Sequence, residues 1–157
     1  MKFVLAMLAA VLLLSACSSD QTTRNDDGEI VEGGELGVFA VQEGDCINFP
    51  DSTDAVESFE AVACDEPHDG EIYELFDVTG FEDYPGDAEV QSQGEAGCLS
   101  AFETFVGIDY QSSIYFFTYF SPTQDTWEQL DDREIICIVT PAEGEPQLTG
   151  SLEGAAA

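Results

Sequence analysis

Apolar runs separated by acid-rich polar stretches set out the elements of this chain. Phe3 to Leu14 is unbroken apolar sequence behind Lys2. Coiled as a helix it covers roughly 18 Å, short of the ~30 Å hydrocarbon core, so residues 1–16 read as a removed secretory signal, not a membrane span. Ser18 to Ala40 is Ser, Thr, Asp, Glu and Gly with few large apolar residues. It buries too little to offset ordering, which predicts a disordered acidic tether over residues 17–40, roughly 25 to 30 Å long as a flexible coil. Folded structure is expected over residues 41–152, followed by a disordered tail, 153–157.

Within 41–152, Cys46 to Phe49, Phe59 to Cys64 and Glu71 to Val78 read as three strands of a meander. In the third, Ile72, Tyr73, Leu75, Phe76 and Val78 do not fall on one clean face. Asp87 is a candidate N-cap for the main helix, where Val90, Gly94, Cys98, Ala101, Phe102, Phe105 and Val106 recur at spacings of three and four. Gly107 offers its stop. Ile114 to Phe120 reads as a strand covered on both faces. Ser121 as cap, Pro122 at the first helical position and Gln124 as capping-box partner predict a short helix burying Trp127 and Leu130. Arg133 to Thr140, apolar on both faces, reads as a central strand. This order predicts an α+β fold, a small, mostly antiparallel sheet with one main and one short helix.

Charge narrows the partners. The 157 residues hold 33 acids and three bases, a net −30, and after removal of the signal only Arg24 and Arg133 are basic. Nucleic acid and anionic lipid are therefore excluded as partners bound by charge. Membrane attachment then rests on lipid. Leu14-Ser15-Ala16-Cys17 resembles a bacterial lipoprotein lipobox, which implies a diacylglyceryl thioether on Cys17 and a domain on the outer face of the cytoplasmic membrane. Each buried CH₂ contributes about 0.8 kcal/mol, so a two- or three-chain anchor holds stably.

Four further cysteines, Cys46, Cys64, Cys98 and Cys137, permit three pairings in an oxidising compartment. The favoured pairs are Cys46 with Cys64, tying adjacent strands, and Cys98 with Cys137, pinning the main helix to the last strand. In the chain-entropy model the first contributes about 3 kcal/mol and the wider second loop somewhat more. No Cys-x-x-Cys pair supports a metal site on these thiolates, and no metal or cofactor is expected.

Candidate chemistry is sparse. His68, the one histidine, follows Pro67 among Asp65, Glu66 and Asp69, and is either a binding or proton-switching residue or a turn residue bonded to backbone or Asp69. No nucleophile elbow occurs. Tyr115, Tyr119 and Trp127 are candidates for a surface that binds glycan or peptide through aromatic faces. Paired carboxylates would suit a glycosidase, yet among 33 acids such a pair arises by chance. Asn25 to Glu29 lacks the alternating ligands of an EF-hand loop, leaving a calcium-dependent fold as a weaker third reading.

Six stretches follow in order: Val41-Gln42-Glu43-Gly44-Asp45-Cys46, Val62 to Ile72 with its Cys64-Asp65-Glu66-Pro67-His68, Tyr84-Pro85-Gly86, Ser121 to Trp127, Asp132 to Cys137, and Leu148 to Leu152. Together they resemble the actinobacterial septum formation domain over nearly all of residues 41–152. The resemblance implies an envelope protein with an extracytoplasmic domain linked to division, and brings no catalytic residue. Where such domains often carry a basic residue, this chain has Glu153. The expected function is non-catalytic binding or scaffolding with division or wall-assembly proteins; the alternative is a hydrolase of wall glycan or peptide using paired carboxylates.

Overall fold

A computed structural model describes residues 22–50 and 56–157; the expected signal peptide and Cys17 lie outside them. The strands are β1 (Thr23–Arg24), β2 (Ile30–Glu32), β3 (Gly34–Gly37), β4 (Cys46–Asn48), β5 (Ser58–Val62), β6 (Gly70–Asp77), β7 (Phe116–Phe120) and β8 (Glu134–Thr140), with helices α1 (Asp87–Val106) and α2 (Gln124–Leu130). β1 and β2 pair with each other, and the other six strands form one antiparallel sheet in the order β3-β5-β4-β6-β8-β7. The fold is α+β with two helices, as the pattern of elements implies.

The sheet order corrects the meander, because β4 lies between β5 and β6 and pairs with both. β8 is central, between β6 and β7. The unclean face of β6 has a specific cause. Ile72 opposes Ile138 and Glu74 opposes Cys137, so Tyr73 is an extra residue. This bulge puts Tyr73 on the same side as the following Phe76 and breaks strict alternation.

One face of the sheet carries α1. Val90, Cys98, Phe102 and Val106 pack on Tyr73, Ile135, Cys137 and Val139, and Leu148 and Leu152 close the same cluster. The helix sits close because of its glycines: a Cβ on Gly97 would come within 2.2 Å of the Phe76 ring. Gly86 caps α1, with Asp87 its first residue, and left-handed Gly107 ends it. The predicted disordered tail instead finishes this helix. The Gly154 and Ala156 N–H groups donate to the Phe105 and Val106 carbonyls at 2.7 and 2.8 Å, satisfying acceptors that a helix end leaves open.

The opposite face corrects the tether. Ile30, Leu36 and Val41 are buried with Ile47, Phe59, Ile72, Ile136 and Ile138, so residues 23–40 cover the sheet rather than drift. β3 pairs with β5 from Gly34–Ala61 to Gly37–Ser58, through backbone bonds that need no apolar side chains. A Cβ on Gly33 would lie 2.6 Å from the Ala61 carbonyl oxygen, so glycine here permits close approach. Asn25 closes the β1–β2 turn, its side-chain oxygen accepting from the Asp27 and Glu29 N–H groups at 3.0 Å. Arg24 donates to the Gly28 carbonyl and grips buried Asp45 with both terminal nitrogens, one at 2.7 Å.

Two further expectations change. β7 is an edge strand, not a doubly covered one, with β8 its only neighbour and Phe116 and Thr118 exposed. α2 is capped by Thr123, whose side chain and backbone exchange bonds with Thr126; the Ser121 cap and Gln124 partner are not used. Trp127 is buried at 3 % exposure, whereas Leu130 is 60 % exposed. Starting two residues later than expected, the short helix turns only Trp127 inward.

Candidate functional site

The two disulfides join Cys46 to Cys64 and Cys98 to Cys137. Beside the first, the Cys46 and Cys64 sulfurs and a Glu71 carboxylate oxygen lie within 4.8 Å of one another. This is no metal centre as it stands, because the sulfurs are bonded to each other and both carboxylate oxygens are engaged. Glu71, at 1 % exposure, accepts from the Ser151 hydroxyl and the Leu152 N–H, each at 2.6 Å. Burial pushes its carboxyl above the usual range, while those two bonds and His68 pull it back.

His68 belongs to the same clamp. It exchanges backbone bonds with Leu148, at 3.1 and 2.8 Å, and its Nδ1 lies 2.8 Å from the Glu66 carbonyl. A carbonyl only accepts, so Nδ1 carries the proton. Nε2 is buried and meets no partner among the described residues. The imidazole is thus enclosed, and the His68 backbone together with the Glu71 carboxylate anchors the Leu148–Leu152 segment to the sheet. Asp69 receives instead from the Phe49 N–H.

Tyr115, Tyr119 and Trp127 do not assemble into a platform. All three join the core cluster beneath α1. The Tyr119 ring lies against Gly94, and its hydroxyl donates to the Gln91 carbonyl at 3.2 Å. The Trp127 indole N–H donates to the Glu82 carbonyl at 3.1 Å, and the Arg133 guanidinium stacks 3.7 Å from the ring centroid.

The surface feature that sequence reasoning missed is a groove of about 600 Å³ on the face opposite α1. It opens where the N-terminal cover stops. Val38 and Phe39 of a 3₁₀ turn, Leu130 of α2, Phe120 and Ile136 line it together with Glu57, Asp132 and Glu134. Its size falls within the roughly 300–1,000 Å³ of ligand pockets. Glu134 is held above the usual carboxylate range by burial first and then by Asp77 and Asp132. The signal for this site is present in the chain but scattered: Phe39, Leu130, Asp132 and Glu134 are ordinary in sequence and meet only through strand order.

A family model described as septum formation matches residues 40–156. The chain belongs to the septum formation family. That membership connects it to cell division. No curated protein and no solved structure matches the chain. The septum formation match takes in β4 through the His68–Glu71 clamp and both disulfides, but not β1 to β3 or Phe39. No helix among the described residues is long and apolar enough to cross a membrane.

Proposed function

We propose that this septum formation protein is a lipid-anchored, extracytoplasmic, non-catalytic binding protein of the dividing cell envelope. The observation that carries the reading is the family match over residues 40–156, and the Leu14–Cys17 lipobox supports the anchor. β1 begins at Thr23, so the chain from Cys17 reaches at most roughly 20 Å. The folded region therefore stands close to the headgroups, with the start of β1 at Thr23 tied nearest to them. An acidic surface is repelled by anionic lipid, which keeps the rest of the domain facing outward.

The reading is tested by fluorescence localisation of the full chain in dividing cells beside Cys17→Ala. Septal enrichment of the wild type and loss of membrane retention in Cys17→Ala are expected. An even wild-type signal around the envelope would remove the division role. A hydrolase reading draws on one observation, the raised Glu134 carboxyl in the groove. It requires release of soluble wall fragments that Glu134→Gln abolishes.

A further inference from the structure

We propose that the groove between α2, the end of β7 and the Val38–Phe39 turn takes an extended basic segment of a partner protein. In that arrangement an apolar side chain rests on Phe120 and Ile136, and a lysine or arginine meets Asp132 and Glu134. The inference deepens the binding reading above by stating what is bound.

Three observations converge on this occupant. The first is where large apolar side chains remain uncovered. Phe39 and Leu130, 62 % and 60 % exposed, are the most exposed of these apart from Ile114, and both line one groove. An apolar groove bordered by polar residues is the usual mark of a protein contact.

The second is uncompensated charge. The lining contains Glu57, Asp132 and Glu134 and no basic residue. Both arginines of the described residues are engaged elsewhere, Arg24 with Asp45 and Arg133 with Asp131 and the Trp127 ring. Asp77 adds a further acid beside Glu134. A cation from outside would relieve this cluster, and the described residues offer no other base than these two arginines. A second copy, itself at net −30, would add like charge, so complementarity selects a basic partner.

The third is the shape that the neighbouring edge accepts. β7 pairs only with β8, so its outer edge presents N–H and C=O groups without a partner strand. Phe116 to Phe120 contains no charge, proline or bulge, the devices that commonly guard an edge. A segment added along β7 runs past Tyr119, Phe120 and Ser121 into the groove, which they line. Strand addition supplies backbone bonds, and the groove reads alternate side chains.

The test uses the full acylated protein in phosphatidylcholine nanodiscs at about 0.15 M salt, where long-range attraction is screened. The probes are a labelled Ser-Val-Ser-Phe-Ser-Lys-Ser-Lys peptide, which as a strand turns its apolar and basic side chains to one face, and a Ser-Gly-Ser-Gly-Ser-Lys-Ser-Lys peptide of equal charge. The first should bind at least tenfold more tightly than the second. Phe39→Ser, Leu130→Ser and Glu134→Gln should each weaken it at least fivefold, while Glu145→Gln, outside the groove, leaves it unchanged. Phe39 and Leu130 are exposed, so unaltered melting of their variants shows that the fold is retained. Equal binding of the two peptides, or indifference to Leu130→Ser, would mean attraction to acidic surface alone and would overturn the proposal. A self-association that Leu130→Ser abolishes, with no peptide bound, would overturn it in favour of a second copy. In cells, septal enrichment that survives Phe39→Ser and Leu130→Ser overturns the groove inference and leaves the division reading intact. Absent wild-type enrichment with intact peptide binding does the reverse.

Discussion

The two faces of the sheet are covered by opposite means. On one, α1 lays an apolar stripe over Ile135, Cys137 and Val139, and a disulfide bonds it to the central strand. On the other, an acid-rich segment lies over Ile47, Ile72, Ile136 and Ile138, held by a few buried side chains, β3 pairing and one ion pair. The first cover spans the sheet to β7, where Tyr119 packs on the helix. The second stops short, and the groove is the uncovered remainder. A strong cover leaves no surface to bind with; an incomplete one does.

Breaking each cover should give different losses. Removing the Cys98–Cys137 bond by a double serine substitution should cost about 4 kcal/mol in urea unfolding, and the Cys46–Cys64 bond about 3 kcal/mol. The first loss should lower protection of α1 and β8 together in hydrogen exchange. Arg24→Ala should come next, at about 3 kcal/mol, because it leaves Asp45, 3 % exposed, without its cation. Its distinguishing mark is place: amides of residues 23–37 should exchange quickly while α1 stays protected. Equal loss on both faces would show that the two covers fold as one unit.

Acidity should act on the clamp in a defined direction. Burial, the largest influence, raises Glu71 above its ordinary value of about 4.5 despite the opposing Leu152 and Ser151 bonds. The folded state then holds the proton more tightly than the unfolded chain. Stability should therefore rise as pH falls from above the raised value toward about 4.5, with no further gain below it. Glu74 and Glu134 act in the same sense. Melting measured from pH 7 down to about 4.5 should show this rise, and Glu71→Gln should reduce its slope. The smallest effect is expected in the groove, where Phe39→Ser and Leu130→Ser should change stability by no more than about 0.5 kcal/mol. A larger loss would make those residues part of the cover.

Much of the helix face is legible in residue spacing alone. The three-and-four recurrence from Val90 to Val106 places Cys98 inward, and the inward Cys98 explains its bond to Cys137 on β8. The N-terminal cover is not legible in the same way, since Ile30, Leu36 and Val41 are too few to fold alone and are buried only by meeting the isoleucines of other strands. Averaged composition therefore points to disorder where backbone pairing gives strand. His68 shows its isolation in the sequence but not its fate, because its enclosure depends on Leu148 returning from the far end of the chain.

The sequence by itself determined the features with local or covalent causes: the α+β class, the period of α1, the central character of Arg133 to Thr140, and a cysteine inventory that pairs as the elements suggest. Tertiary structure alone decided strand order, the bulge at Tyr73, the use of residues 23–40 as a cover and the outward turn of Leu130. Those rest on which distant backbones pair and on what burial remains to be shared once they do. The groove is a product of that second kind, formed by side chains that have no relation until β7, β8 and the 3₁₀ turn bring their ends together.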